Sequence, residues 1–147
     1  MKSIFTLLLA LTALITVPAP QAQAQAAPQP GHMRAAGVGV VHFKAAGRME
    51  FRLHGKGVLV LRDAASQQIK LTGKGQVHTS TEGDLVIQGF KGKVVVQGQS
   101  IQGVFNKGRI GVIADGQGTA KLKGKGLFKV NGIPGTWAKP VGATVSW

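Results

Sequence analysis

The motif Leu-x-Gly-Lys-Gly occurs three times in the chain, as Leu53-His54-Gly55-Lys56-Gly57, Leu71-Thr72-Gly73-Lys74-Gly75 and Leu122-Lys123-Gly124-Lys125-Gly126. Around each motif apolar residues alternate with polar ones, which is the period of two of a β-strand. This alternation predicts that each glycine pair faces the core and each central lysine faces solvent. Two missing side chains on the core side let a long strand bend sharply. We therefore predict a structural role for Gly55, Gly57, Gly73, Gly75, Gly124 and Gly126.

The alternation continues from Gly37 to the end of the chain, with no amphipathic helical pattern. Short turn-like segments separate the candidate strands, at residues 45–47, 63–66, 82–84, 97–100, 106–108, 115–116 and 131–135. Connections this short join antiparallel neighbours. The sequence thus predicts an all-β fold, an antiparallel meander that forms a barrel or a sandwich from long strands kinked at glycines.

A β-solenoid is the alternative architecture. Leu53 and Leu71 are 18 residues apart, and Leu71 and Leu122 are 51 apart, which is three intervals of 17. Rungs of about 17 residues would explain both distances. Partial copies of the motif at residues 87–89 and 101–103 do not keep this period, so the meander is preferred.

Residues 1–26 have the composition of a secretory signal peptide. Lys2 precedes an apolar run from Ile4 to Val17, and small residues at 22–24 or 24–26 offer a cleavage site. Residues 27–36, rich in Pro, Gln and Ala, are predicted to form a flexible leader. Residues 37–147 are then a single β-domain of an exported protein, periplasmic or secreted.

The chain is strongly basic and contains no cysteine. Removal of Lys2 with the signal leaves 17 basic against 5 acidic residues, a net charge of +12. Such a charge attracts polyanions. Outside the cytoplasm we expect anionic polysaccharide, lipid head groups or other polyanions as partners, and no specific nucleic acid. The alternative is a coat of lysines that keeps the protein soluble and protects its sheet edges.

The candidate binding residues are basic side chains on the outward side of the long strands. They are Arg52, Lys56, Lys70, Lys74, Lys121, Lys123, Lys125 and Lys129.

The sequence offers little for catalysis or metal binding. Glu50 stands between two arginines, and the other four acids, Asp63, Glu82, Asp84 and Asp115, lie in or beside predicted turns. His54 and His78 are on long strands without a neighbouring carboxylate or thiol, which makes a poor zinc site. We therefore predict a non-enzymatic protein with no catalytic residues, no metal site and no cofactor.

Between Gly47 and Trp137 the chain contains the Leu-x-Gly-Lys-Gly elements, Gly89-Phe90-Lys91-Gly92 and Gly135-Thr136-Trp137. With these elements the stretch resembles small exported glycine-rich bacterial β-proteins of uncharacterised function. It implies export and β-structure, and it transfers no catalytic residues.

The function predicted from the sequence is binding of polyanionic envelope or extracellular components through a basic face. A structural or assembly subunit of the cell envelope, which pairs sheet edges, is the alternative. More remote are an enzyme and a small outer-membrane β-barrel, the latter suggested by the alternation of Val141, Ala143, Val145 and Trp147 at the C-terminus.

Overall fold

The computed structural model describes residues 30–147, so the predicted signal peptide and residues 27–29 lie outside the described part. It contains six strands, β1 (Gly31–His54), β2 (Val58–Arg62), β3 (Gln68–Thr79), β4 (Leu85–Val130), β5 (Ile133–Trp137) and β6 (Ala143–Ser146). A single 3-10 turn, Ala64–Ser66, is the only helical element between residues 30 and 147. None of the described residues forms a helix long and apolar enough to span a membrane. The prediction of an all-β antiparallel fold with long, glycine-kinked strands is confirmed.

Most of the domain is one long hairpin. Strands β1, β2 and β3 form its first arm, β4 forms the second, and residues 80–84 form the tip, where the Ser80 amide donates to the Asp84 carbonyl oxygen at 2.8 Å. Thr79 lies opposite Leu85 near the tip, and Met33 lies opposite Val130 at the far end. Between these two pairs the first arm advances by 46 residues, from Met33 to Thr79, and the second by 45 residues, from Leu85 to Val130. The two arms therefore keep almost the same pairing register along the whole ribbon.

This two-stranded ribbon is coiled, because most of its residues pair on both sides. Met33 lies opposite Ala114 as well as Val130, and Ala114 also lies opposite Met49. Leu59 of β2 lies opposite both Ile87 and Phe105. The two partners of one residue are 16 to 18 positions apart, so this is the length of one turn of the coil. The motif spacing of 17 to 18 residues matches this length.

The ribbon bends where glycines face each other. Gly47 (φ 121°) lies opposite Gly116 (φ 124°), and both occupy a backbone region that glycine adopts far more readily than other residues. The bend is sharp, since Phe43 and Phe51 on either side of Gly47 have ring centroids only 4.9 Å apart. Eight residues of straight strand would span about 26 Å. Facing pairs with positive φ recur at Gly39 with Gly124 and at Gly73 with Gly92.

These bends correct four of the predicted turns. Residues 45–47 lie inside β1, and residues 97–100, 106–108 and 115–116 lie inside β4. The prediction that they are hairpin connections is wrong. At these places both strands of the ribbon bend together, and each strand continues through the bend. The segments on either side of Gly47 are therefore not neighbours of each other, and both pair with the same stretch of β4.

The predicted leader is corrected from Gly31 onward, where β1 begins. Met33 and Ala35 are buried, and their segment pairs with two stretches of β4, residues 111–116 and 127–130. The Pro- and Gln-rich composition that suggested a flexible leader ends just before this strand. The ordered domain thus begins six residues earlier than predicted.

Four of the six motif glycines have positive φ, as expected for bends: Gly55, Gly57, Gly73 and Gly124. The other two permit close packing, since a side chain on Gly126 would collide with the Trp137 ring and one on Gly75 with the Phe90 backbone. Gly124 is buried, but Gly73 and Gly75 are exposed. The second pair has the parity of the core side but lies beyond the core, because β3 is at an edge of the sheet.

One core fills the inside of the coil, and the two sheet edges are treated differently. Its largest fully buried side chains include Phe51, Phe105, Met33, Met49 and Leu59. Strands β5 and β6 pair with residues 126–130 and 119–122 of β4 and so cover one edge. Strand β3 pairs only with β4 and forms the other edge. With two edges, the sheet is not closed into a barrel.

We expect Gly47→Ala to destabilise the domain strongly. The backbone conformation alone costs a non-glycine residue about 1–3 kcal/mol, and the new Cβ would also collide with the carbonyl oxygen of Asp115. Gly111→Ala is the matched control, since its Cβ would meet only the Arg52 Cβ at 3.5 Å and its φ is not positive. Urea unfolding of both variants measures the difference, and equal losses of stability would contradict the role assigned to the paired glycines.

Candidate functional site

A row of basic side chains crosses the sheet next to the bend at Gly39 and Gly124. Val38 lies opposite Lys125 on one side and Arg109 on the other, and Lys91 lies opposite His54 on one side and Lys74 on the other. Leu53 is opposite Ile110, so His54 and Arg109 occupy the next position of that ladder. They connect the group around Val38 with the group around Lys91. We call Lys125, Val38, Arg109, His54, Lys91 and Lys74 the basic row.

All six side chains of the basic row are exposed. The row extends over six strand segments, or five inter-strand spacings, which amounts to about 24 Å. Its members come from residues 38, 54, 74, 91, 109 and 125, which only the coiling of the ribbon brings together.

Further cations flank the basic row at the bend. Lys56 and Lys107 line a depression together with Val38, His54 and Arg109. On the other side of Val38, Lys139 lines a depression together with Lys125. The exposed apolar side chain of Val38 thus lies among cations on both sides.

The acids do not neutralise this surface. All five acidic residues of the chain belong to the described part, and its ion pairs are His32–Asp115, Arg48–Glu50 and Arg52–Glu50. No described ion pair therefore involves a residue of the basic row. Lys74 and Lys91 of the basic row lie directly opposite each other, and elsewhere on the sheet so do Arg34 and Lys129. Like charges in directly opposite positions destabilise a sheet, so this surface stores repulsion that a bound anion would relieve.

A second basic cluster lies elsewhere on the coil. His42, Lys44, Arg62, Lys121 and Lys123 line one depression, together with Gln102 and Thr119. His42 is directly opposite Lys121, and Val40 is opposite Lys123, so the cluster also follows a ladder between β1 and β4. It provides an internal comparison for the basic row.

The eight predicted binding residues are thus divided. Lys74 and Lys125 belong to the basic row and Lys56 flanks it, while Lys121 and Lys123 belong to the second cluster. The other three lie apart from both groups: Arg52 pairs with Glu50, Lys70 is opposite Val95, and Lys129 is opposite Arg34.

Sequence reasoning missed Lys91, Arg109, Lys107 and Lys139. Each of these residues is next to a glycine or a proline, and only Lys107 lies in a predicted turn. The alternation was followed only around the three Leu-x-Gly-Lys-Gly motifs, which lie elsewhere in the chain. The signal that could have found them is the alternation itself, because Arg109 continues the outward positions of residues 111 and 113.

Glu50 is the one buried charged residue among the described residues. Its carboxylate accepts hydrogen bonds from Arg52 Nε and Arg48 Nη2, both at 3.2 Å. Burial alone would raise the pKa of Glu50, but the hydrogen bond from Arg52, the nearby charge of Lys93 and the hydrogen bond from Arg48 together lower the pKa below its usual value. Glu50 therefore remains ionised at neutral pH and serves to hold cations in place.

An apolar groove of about 650 Å³ lies beside the basic row. Ala36, Gly111, Ile113 and Leu127 are among the residues that line it, and Leu127 is 66% exposed. Arg34, Arg52 and Lys129 also line the groove. An apolar groove with cations in its lining suits the hydrocarbon part of an anionic amphiphile.

The histidines do not form a metal site in the part of the chain that the structure describes. His54 is opposite Lys91 and His78 is opposite Val86, so the two are not neighbours. Between residues 30 and 147 no three His, Cys, Asp or Glu side chains group as metal ligands.

Comparison with protein-family models, curated proteins and solved structures found no match to this chain. The protein is an all-β coiled hairpin that carries an exposed basic row on its surface.

We expect Glu50→Gln to lower the free energy of unfolding at neutral pH by about 1–3 kcal/mol, because hydrogen bonds to a charged group are lost. The lowered pKa means that the ionised carboxylate stabilises the fold above its usual pKa, and that this contribution disappears as pH falls through the folded-state pKa. Thermal unfolding of both proteins from pH 7 to pH 3 tests this. A stability difference that stays constant over this range would contradict it.

Proposed function

We propose that the protein binds a linear polyanion outside the cytoplasm along the basic row. The observation that carries this proposal is the alignment of Lys125, Arg109, His54, Lys91 and Lys74 across neighbouring strands without an acidic partner. Anionic polysaccharide and the phosphates of lipid head groups are the partners of matching chemistry.

The alignment favours an extended ligand over a single small anion. Neighbouring strands are about 4.8 Å apart, so a chain of negative charges that crosses the strands meets a cation at most steps over about 24 Å. Surface contacts of this kind are weak singly and add up along the row. Such binding requires no cofactor and no catalytic group, and we propose a non-enzymatic role.

Relief of repulsion is a second support. The directly opposite Lys74 and Lys91 repel each other in the free protein. A polyanion placed between them turns an unfavourable pair into two favourable contacts. Ligand binding should therefore also raise the thermal stability of the domain.

Heparin affinity tests the proposal. The triple variant Lys91→Gln, Arg109→Gln, Lys125→Gln should bind heparin roughly tenfold more weakly, since each exposed charge contact contributes about 0.2–1 kcal/mol. Its matched control is Lys44→Gln, Arg62→Gln, Lys121→Gln in the second cluster, which removes the same charge. We expect a much smaller effect there.

The two triple variants distinguish a binding site at the basic row from lysines that only keep the protein soluble. Equal losses of affinity would mean that net charge alone attracts heparin, which contradicts a site at the basic row. Failure of the unmodified protein to bind heparin at low salt would contradict polyanion binding altogether.

The apolar groove favours a second candidate function, binding of an anionic amphiphile through its hydrocarbon chain. The groove joins exposed Leu127 to Arg34, Arg52 and Lys129. Leu127→Ser should weaken binding to vesicles of anionic lipid and leave heparin binding unchanged, because it removes apolar surface and no charge. Vesicle co-sedimentation measures the first and heparin elution the second. An unchanged vesicle affinity would exclude the groove as a lipid contact.

A further inference from the structure

The free edge of the sheet is strand β3. Its twelve residues, Gln68–Thr79, pair only with β4, so one side of the strand presents its backbone N–H and C=O groups to solvent. Unpaired edges of this length are templates for a further strand. The opposite edge of the same sheet is covered by the chain's own β5 and β6. The sheet therefore ends in two short strands on that side, of five and four residues, and in the twelve-residue β3 on the other.

Apolar side chains accompany the open edge. Leu71 is 37% exposed and Val77 39% exposed, and Ile69 is only partly buried. All three have the same parity, so they face the core side of the sheet at a place where the core ends. A strand added at this edge would place its own core-side residues next to Ile69, Leu71 and Val77.

We propose that β3 pairs antiparallel with β3 of a second copy of this chain, in the register that sets Gly73 opposite Gly73. The argument for this interface does not use the proposed polyanion binding, although Lys74 belongs both to β3 and to the basic row. It makes the protein a dimer with one sheet continuous through both copies.

Three constraints select this register. First, β3 bends at Gly73, whose φ is 148° and which faces Gly92 of β4. Two strands can continue the ladder through this bend only if their bends coincide, so the two-fold axis must pass close to residues 73–75.

Second, directly opposite residues of an antiparallel pair lie on the same face. The axis must therefore pass through a residue, so that Ile69 meets Val77 of the second copy and Leu71 meets Gly75. An axis between two residues would set apolar side chains against polar ones.

Third, apolar pairing and charge decide between the remaining positions. An axis through Gly75 would set Leu71 opposite Thr79 and leave Ile69 opposite residue 81, beyond the end of β3. An axis through Lys74 would place two lysines directly opposite each other, which is unfavourable. With the axis through Gly73, Lys74 meets Thr72 of the second copy, and Lys70 meets Gln76. No lysine then faces a lysine.

The lack of cysteine in the chain makes cross-linking a direct test of the register. The double variant Thr72→Cys, Lys74→Cys places each cysteine opposite one of the second copy, and under mild oxidation we expect a covalent dimer. Thr72→Cys, Gln76→Cys, which would cross-link only if the axis passed through Lys74, is the control. A covalent dimer from the control and none from the first variant would overturn the register.

Sedimentation measures the dimer without cross-links. We expect a concentration-dependent dimer of the unmodified protein that strengthens as salt rises from about 50 to about 500 mM, since screening reduces repulsion between the two basic copies. Leu71→Lys should shift the protein to monomer, whereas Leu127→Lys, which adds the same charge far from β3, should not.

A monomer under all conditions, or a dimer that Leu71→Lys leaves intact, would overturn the proposal. Polyanion binding weakens with salt while this dimer strengthens, so the two proposals fail independently.

Discussion

The whole architecture depends on glycines that face each other across one ribbon. At Gly47 and Gly116 both backbones have positive φ, and the carbonyl of each neighbouring strand approaches so closely that no side chain fits. Because both strands bend at the same level, the ladder continues through the bend. A two-stranded ribbon can then coil around its own core, where a chain of ordinary residues would need loops.

The basic surface is a consequence of this coiling. Alternation along each strand keeps lysines and arginines outside, but alternation alone scatters them along the chain. The coil aligns positions that are 16 to 18 residues apart, and so Val38 and His54, or Arg109 and Lys125, become near neighbours. The same mechanism places like charges directly opposite each other. Glu50 offsets this repulsion at Arg52 and Lys93, which are directly opposite each other, because its carboxylate accepts a hydrogen bond from Arg52 and lies near the charge of Lys93.

The two ends of the coil differ in a way that matters for assembly. The chain folds back as β5 and β6 over the last turn, with Trp147 packed against Gly118, where an added Cβ would lie 2.6 Å from its ring. At the hairpin tip no segment of the described chain returns over β3. In coiled and repeating folds an uncovered end is a surface for pairing.

The sequence by itself determined the all-β class, the outward direction of the lysines and the importance of glycine, because the period of two is a local property of an extended strand. It also contains a signal for the bends that the motif analysis overlooked: Gly31, Gly39, Gly47 and Gly55 are eight residues apart, as are Gly108, Gly116, Gly124 and Gly132. Only the tertiary structure decided which strands are neighbours, that Arg109 and Lys91 join Lys125 in one row, and that β3 is the free edge. These depend on how many residues one turn of the coil takes, and that number is set by the packing of side chains from distant positions in a shared core.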